Sequence, residues 1–249
     1  FTDMDFEGML VEGFDELGTF ATIYNHPYYM EHMIRRGFTK DVDWLEYQIT
    51  VPDQPDEKVA RIAKIVSKKF GYKLLEFKRT KDILPWAHKM FEVLEEAYQE
   101  LYGVAPLTPE LVDAYVDSYI GFANPEFIKL VVDQDNELVA FGITFPSFSK
   151  AMQRSGGRLL PFGFIPILRS IKKNDRLDLY LVGVKPELQG KGINALLMDA
   201  ITRSAIKYNM KITESNPELE TNDKVQSQWK FYETRQHRRR RCFVKAVGE

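Results

Sequence analysis

The sequence predicts an α/β protein with a mixed β-sheet, and three observations carry that prediction. Short alternating apolar stretches are interleaved with longer stretches whose apolar residues recur every three or four positions. Hydrophobic residues make up 44% of the 249 residues and charged residues 28%, as is usual in a folded globular protein. Two apolar stretches flank the short polar turn 134–136, which predicts an antiparallel hairpin within the sheet.

Composition narrows the class of protein. The formal net charge is −2, so we expect no nucleic-acid partner for the molecule as a whole. A single cysteine, Cys242, excludes an internal disulfide and predicts a reducing, cytoplasmic environment. The sequence lacks an apolar run of membrane-spanning length and a signal-peptide pattern at its start.

Turn and capping residues place the elements of the first half. Gly71 and Gly103 are predicted C-caps, and Thr108 followed by Pro109 is a predicted helix start. The predicted elements are a linker at 51–58, a helix at 56–71, a strand at 72–78, a helix at 82–103 and a helix from Thr108 to about Phe122.

Strands dominate the second half. The predicted elements are strands at 127–133, 137–146 and 176–184, a helix at 192–209, a strand at 210–216, a helix at 222–236 and a strand at 242–247. The run from His237 to Arg241 is interpreted as a basic segment paired within the molecule; a nucleic-acid patch would need a second basic cluster.

The stretch "VGVKPELQGKGINALL" joins a strand to a helix through a turn with two glycines. Free N–H groups at a helix N-terminus and the helix dipole favour phosphate oxygens there. Gly190 and Gly192 let a ligand approach the backbone, and Lys191 adds positive charge. The alternative is a plain strand-to-helix turn that binds nothing.

This stretch and the order of elements resemble the GNAT superfamily of N-acetyltransferases from about Tyr72 to Val247. Val184, Pro186, Gln189 and Gly192 match the Val-x-Pro and Gln/Arg-x-x-Gly-x-Gly/Ala elements of its acyl-CoA motif, whereas Asn194 stands where Gly or Ala is usual. The resemblance implies acetyl-CoA as acyl donor, bound in a wedge between the fourth and fifth strands. The residues it implies for the donor are Leu181, Val182, Val184, Gln189, Gly190, Lys191, Gly192, Ile193, Asn194 and Asn222.

For catalysis the resemblance implies direct transfer of the acyl group to an amine. Tyr232 matches the family's Tyr-Glu element and is the candidate acid for the leaving thiolate. Glu214, at the end of the fifth strand, is the candidate base. Asn222 lies ten residues before Tyr232 instead of the usual seven, which an extra helical turn would absorb. The alternatives are a tyrosine that packs the helix on the sheet and a glutamate that caps a loop.

Two segments carry similar residues in the same order, namely 10–40 and 212–245. The paired positions are Glu12 with Glu214, Glu16-Leu17 with Glu218-Leu219, Thr19 with Thr221, Tyr28-Tyr29 with Phe231-Tyr232, and Phe38–Lys40 with Phe243–Lys245. We therefore expect residues 1–50 to be the closing strand–helix–strand of a truncated first GNAT-like domain. Residues 51–71 would be a linker with a short helix, and 72–249 a GNAT-like domain with an insertion at 147–174.

The predicted function is acyl-CoA-dependent N-acyl transfer, with acetyl as the acyl group and a small amine or amino-acid-like molecule as the acceptor. The alternative is a catalytically silent GNAT-like protein with a binding or structural role. A third, tRNA- or peptidoglycan-linked transfer, would need a basic channel. The insertion, with its apolar run "LLPFGFIPILRSI", would form an acceptor lid or a surface for packing or self-association. The histidines show no metal-ligand spacing, so no metal is expected.

Overall fold

The computed structural model describes residue 6 and residues 8–120 and 123–247, and it divides the chain into two compact units. The first unit comprises 51–145 and 179–211. The second comprises the described residues up to Thr50, together with 146–178 and the residues from Ile212 onward. Segment 72–249, predicted as one domain, is thus shared between the two units.

The elements alternate as the sequence predicts. The strands are β1 Met9–Glu12, β2 Thr39–Thr50, β3 Lys73–Leu75, β4 Ile128–Val132, β5 Leu138–Pro146, β6 Arg176–Val184, β7 Ile212–Ser215, β8 Glu218–Leu219 and β9 Thr234–Val244. The helices are α1 Tyr28–Arg35, α2 Glu57–Phe70, α3 Ala87–Tyr98, α4 Pro109–Ile120, α5 Ser149–Ser155, α6 Phe164–Lys172, α7 Ile193–Lys207 and α8 Asp223–Gln226. The mixed α/β class is confirmed, and α5 and α6 occupy the predicted insertion.

The first unit orders its strands β6, β5, β4, β3. The hairpin between β4 and β5 is confirmed: Ile128 lies opposite Ile143, and Asn136 in the turn has φ +63°. Every residue of β4 is buried, as expected of an inner strand with covered faces.

Helix α2 packs against α7 in the first unit. Asp56 caps α2 by accepting a hydrogen bond from the N–H of Val59 at 2.9 Å, and Gly71 ends it with φ +70°. The buried face of α2 includes Ala63 and Val66, which join a core cluster with α7 and the strands; its other buried members are Val131, Val139, Ala140, Ile193, Leu196 and Leu197. This packing positions the start of α7.

The two helices between β3 and β4 differ in how well the sequence predicts them. Helix α4 begins as predicted, with the Thr108 hydroxyl accepting a hydrogen bond from the N–H of Leu111 at 3.3 Å. Its predicted end at Phe122 lies outside the described residues. Helix α3 is shorter than predicted, because a 3₁₀ turn around Pro85 precedes it and its last residue is Tyr98 instead of a residue next to Gly103.

The second unit orders its strands β1, β9, β2, β7, and each adjacent pair is antiparallel. Strand–helix–strand is the order in 9–50, as predicted. Strand β2 of this segment pairs with β7, and β9 pairs with β1, so the closing strand of each segment lies beside the opening strand of the other. The paired positions of the sequence repeat are not equivalent in the structure: Phe38 immediately precedes β2, whereas Phe243 lies near the end of β9.

The prediction of a helix at 222–236 and a strand from Cys242 was wrong. Helix α8 ends at Gln226, a 3₁₀ segment follows to Phe231, and β9 begins at Thr234. The basic run therefore lies inside a strand. Arg238 and Arg240 are buried there because the carboxylate of Glu46 on β2 pairs with both, so charged residues occupy positions that apolar residues usually fill.

Candidate functional site

The glycine turn of the first unit connects β6 to α7. Gly190 and Gly192 have φ values of +74° and +86°, a left-handed conformation that side chains disfavour. A Cβ built at Gly190 has no described atom within 4 Å, whereas one at Gly192 would lie 2.8 Å from Cγ2 of Val66 and 3.1 Å from that of Ile62. Gly190 thus faces open space, and Gly192 is required by the packing of α2 against the turn.

Hydrogen bonds brace the turn from within. Nε2 of Gln189 donates to the carbonyl of Val184 at 3.3 Å, and the N–H of Lys191 donates to the carbonyl of Leu188 at 3.3 Å. Lys191 is exposed. A helix start presents backbone N–H groups and the positive end of the helix dipole, so the start of α7 is chemically suited to an anion.

The remaining residues predicted for the donor in this unit lie on either side of the turn. Leu181, Val182 and Val184 are half-buried in β6, and the hydroxyl of Tyr98 donates to the carbonyl of Val182 at 3.0 Å. Ile193 and Asn194 are the first two residues of α7, and Ile193 is buried whereas Asn194 is half-buried. The three strand residues, the two helix residues and the turn all belong to the first unit. Tyr98 was not predicted as a neighbour of this strand, since a tyrosine on an apolar helix face signals only packing.

The other three predicted site residues belong to the second unit. Asn222 caps α8, its side chain accepting a hydrogen bond from the N–H of Val225 at 3.3 Å. Tyr232 is half-buried, and its N–H donates to the carbonyl of Trp229 at 2.9 Å, ending the 3₁₀ segment. The extra helical turn expected between Asn222 and Tyr232 is absent from these described residues; a shorter helix and a 3₁₀ segment span the distance instead.

Glu214 lies in β7 with 3% of its surface exposed. Burial raises the pKa of its carboxyl group, while the guanidinium of Arg176, which forms an ion pair with it, acts in the opposite direction. A carboxyl group with a raised pKa binds a proton more readily than an exposed one, which suits it to accepting a proton.

Two more titratable groups of the second unit have raised pKa values that the sequence did not predict. Burial raises the pKa of Asp178 to about 8, with the nearby charge of Glu214 contributing, and burial raises that of Glu218 to about 8. The Nε1–H of Trp229 donates to both carboxylate oxygens of Glu218, at 3.2 and 3.0 Å. The sequence signal for such a group is an acid at a strand position whose side chain should face inward. The alternation of apolar and polar residues in a single sequence indicates that facing only weakly.

The arginine run is paired within the second unit. Arg238 and Arg240 contact Glu46 of β2 at 3.3 and 2.7 Å, and Arg239 and Arg241 contact Asp43 of the same strand at 3.0 and 2.7 Å. The four guanidinium groups therefore share two carboxylates, those of Asp43 and Glu46, and both residues are fully buried.

A groove of about 700 Å³ lies in the first unit between α2 and α7. It is separate from the glycine turn, because none of residues 189–194 lines it. Its polar lining has both signs of charge: Arg61, Lys64, Glu76, Glu126, Lys129, Asp199, Arg203 and Lys207. Glu126 contacts Ser204 and Lys207 at 2.9 and 2.6 Å, so its carboxylate is already hydrogen-bonded. Size alone does not make this groove the candidate site.

The insertion exposes much of its apolar run. Leu160 and Phe162 are 79% and 71% exposed, and α6 follows them. In the same unit the ring of Phe148, at the start of α5, meets that of Phe20 at 5.7 Å between centroids. Over the residues that the structure describes, no helix is long and apolar enough to cross a membrane, and no group of three His, Cys, Asp or Glu side chains is arranged to hold a metal ion.

The chain is similar to known proteins in both sequence and structure. Protein YghO of Escherichia coli (strain K12) is 23% identical over 247 residues, which cover 96% of this chain and 62% of that protein. A GCN5-related N-acetyltransferase from Sphaerobacter thermophilus superposes with a TM-score of 0.51 at 14% identity, covering 87% of this chain and 56% of that one. A tandem GNAT protein from the clavulanic acid biosynthesis pathway gives a TM-score of 0.50 at 12% identity, covering 89% and 59%.

The chain spans less than two thirds of the length of each of these relatives. At such identities the structural likeness establishes the fold alone. The family model is the stronger finding, because residues 87–237, more than half of the chain, match the model of the acetyltransferase (GNAT) family. The chain therefore belongs to the acetyltransferase (GNAT) family.

Proposed function

We propose that this protein is an acyl-CoA-dependent N-acyltransferase that transfers an acetyl group to a small amine or amino-acid-like acceptor. The observation that carries the proposal is the glycine turn at the start of α7, in which Gly190 faces open space in a chain of this family. N–H groups at that helix start and the charge of Lys191 would hold the pyrophosphate of the donor.

The reaction needs two proton transfers. The amine nitrogen attacks the thioester carbonyl, the C–S bond breaks, and the thiolate leaves. Glu214 takes the proton of the attacking amine, a role that its raised pKa supports. Tyr232 gives a proton to the thiolate. Backbone groups of Leu181 to Val184 would align the pantetheine arm as an added strand.

A second candidate function, a GNAT-like protein that binds the donor without turnover, is favoured by one observation. The carboxylate of Glu214 already has an ion-pair partner in Arg176 and is almost fully buried. A buried carboxylate with an ion-pair partner can have a structural role instead of a catalytic one.

We also propose that residues 1–50 close a preceding domain of the same kind, as in a tandem protein. The supporting observations are the strand–helix–strand order of 9–50 and the exchange of closing strands between this segment and the segment 212–244. The single cysteine supports a cytoplasmic location, which belongs to the same proposal.

Thiol release from acetyl-CoA, followed over a panel of small amines, tests the enzymatic proposal. We expect amine-dependent release that falls about 10²–10⁴-fold in Glu214→Gln and in Tyr232→Phe. Tyr208→Phe is the matched control, because this exposed tyrosine packs on Phe127 at the end of α7 and has no role in the reaction. Donor binding without release from any amine would favour the silent alternative.

A further inference from the structure

Three titratable side chains of the second unit form a line that ends at Glu214. The imidazole of His237 on β9 is 1% exposed; its Nδ1 lies 3.7 Å from Oε2 of Glu16, and its Nε2 lies 3.8 Å from Oε2 of Glu214. Glu16, in the loop after β1, is 27% exposed. The line therefore runs from a carboxylate that reaches solvent to one that does not.

A β-bulge places His237 between these two carboxylates. Glu46 of β2 lies opposite Arg238, and the next residue, Tyr47, lies opposite Gln236, so His237 is the extra residue. A bulge turns a side chain out of the regular alternation. The packing of Gly13, whose φ is +79°, against the carbonyl of His237 fixes the backbone there.

The protonation states of the three groups are complementary. Burial lowers the pKa of His237 to about 4, so the ring is neutral at pH 7 and has one N–H donor and one acceptor nitrogen. A hydrogen bond from Arg235 lowers the pKa of Glu16, which is therefore a carboxylate able to accept from Nδ1. Nε2 is then the acceptor and faces Glu214, whose pKa burial raises.

The neighbouring charges keep the ring from retaining a proton. The charged groups that face the line from the packed elements are Arg235 and Arg238 on β9, Arg176 and Asp178 on β6, and Glu46 on β2. Because the cations near the ring disfavour an imidazolium, a proton that arrives at one nitrogen is released from the other. Both contacts are about 1 Å longer than a hydrogen bond, so transfer requires a small approach of the side chains.

We infer that His237 and Glu16 form a proton relay that returns Glu214 to its carboxylate form after each acyl transfer. This inference rests on the proposed function, in which Glu214 takes the amine proton. The O–H bond of Glu214 breaks as an N–H bond forms at Nε2; the Nδ1–H bond breaks as an O–H bond forms on Glu16, which releases the proton to water. The ring then has its proton on Nε2, and exchange with water, which takes the proton from Nε2 and supplies one to Nδ1, restores the starting tautomer.

Two variants test the relay. Glu16→Gln and His237→Gln retain side-chain size and polarity, but their amides do not transfer protons. We expect each to lower kcat about 10-fold or more near neutral pH, with the KM for acetyl-CoA unchanged and the acid limb of the pH profile displaced. His88→Gln is the control, because this exposed histidine also contacts a carboxylate, that of Asp113 at 3.1 Å. Should His237→Gln fail to fold, Glu16→Gln, nearer the surface, decides.

Unchanged kcat and pH profile in an active Glu16→Gln would overturn the relay. If the unaltered chain shows no turnover, the proposed function fails, and nitrogen NMR of the histidines judges the relay separately. A neutral His237 with its proton on Nδ1 at pH 7, shifted by Glu16→Gln, supports the arrangement. An imidazolium or a proton on Nε2 contradicts it.

Discussion

The glycine turn of the first unit and the arginine strand of the second are stabilised by different forces. At the turn, two left-handed glycines and the apolar side chains of α2 determine the backbone path. In β9, guanidinium groups occupy buried positions and depend on two carboxylates of β2. Apolar contacts tolerate small adjustments, whereas a buried charge without its partner costs several kcal/mol. We therefore expect single substitutions at the paired charges of the second unit to lower the free energy of unfolding more than substitutions at the turn of the first unit.

The largest effect is expected at Glu46. Glu46→Gln leaves the buried guanidinium groups of Arg238 and Arg240 without a counter-charge, so we expect the free energy of unfolding to fall by about 3–5 kcal/mol. Urea denaturation measures the change. In Glu31→Gln, which removes the exposed partner of Arg35, the loss should stay below about 1 kcal/mol. An equal decrease in the free energy of unfolding in both variants would contradict the expectation that buried ion pairs matter more to stability than exposed ones.

Replacing the two glycines of the turn should have unequal effects. Alanine at either position adopts a left-handed conformation that costs about 1–2 kcal/mol. Gly192→Ala also places its Cβ against Val66 and Ile62, so overpacking adds about 1–3 kcal/mol. Thermal and urea unfolding of the two variants measure the difference. A Gly190→Ala protein as destabilised as Gly192→Ala would show that the space beside Gly190 is filled.

A smaller, pH-dependent effect is expected at Asp178. Because burial raises its folded pKa to about 8, the folded state binds a proton that the unfolded state loses near pH 4. Its contribution is therefore fully present below pH 4 and is lost as the pH rises towards 8. Asp178→Asn should gain stability relative to the unaltered protein at pH 8–9 and show little gain near pH 4, as measured by urea midpoints across pH.

The pKa of Asp175 is shifted in the opposite direction to that of Asp178, so its effect on stability should change with pH in the opposite direction. A hydrogen bond from Lys150 lowers its pKa, so its stabilising contribution is present above its unfolded pKa and is lost as the pH falls through the folded value. Asp175→Asn should be less stable than the unaltered protein at pH 7, and the difference should shrink in acid. The same trend with pH in both asparagine variants would contradict the assigned shifts.

Local signals explain why the sequence predicted the turn well. Gly190 and Gly192 follow an alternating strand and precede a helical apolar pattern, and all these features lie within about twenty residues. The cap at Thr108 and the left-handed end at Gly71 are equally local and were confirmed. Backbone conformation at such positions depends on neighbouring residues, so a single sequence contains the necessary information.

Long-range pairing explains what the sequence did not predict. The carboxylate that allows Arg238 and Arg240 to be buried, that of Glu46 on β2, is nearly two hundred positions away. Periodicity alone therefore predicted a basic segment before a strand. The bulge that places His237 between Glu16 and Glu214 likewise depends on the register of β2 against β9. Burial of Asp178 follows from packing, which no local pattern specifies.

Calorimetric titration with acetyl-CoA tests the central claim, that the turn before α7 binds the donor. Gly190→Glu, which adds a side chain and a negative charge to the turn, is compared with Gly156→Glu, another left-handed glycine with no described atom within 4 Å of its Cβ position. We predict binding by the unaltered chain and by Gly156→Glu, and its loss in a folded Gly190→Glu. Equal binding by both variants, or no binding by the folded unaltered chain, would contradict the account.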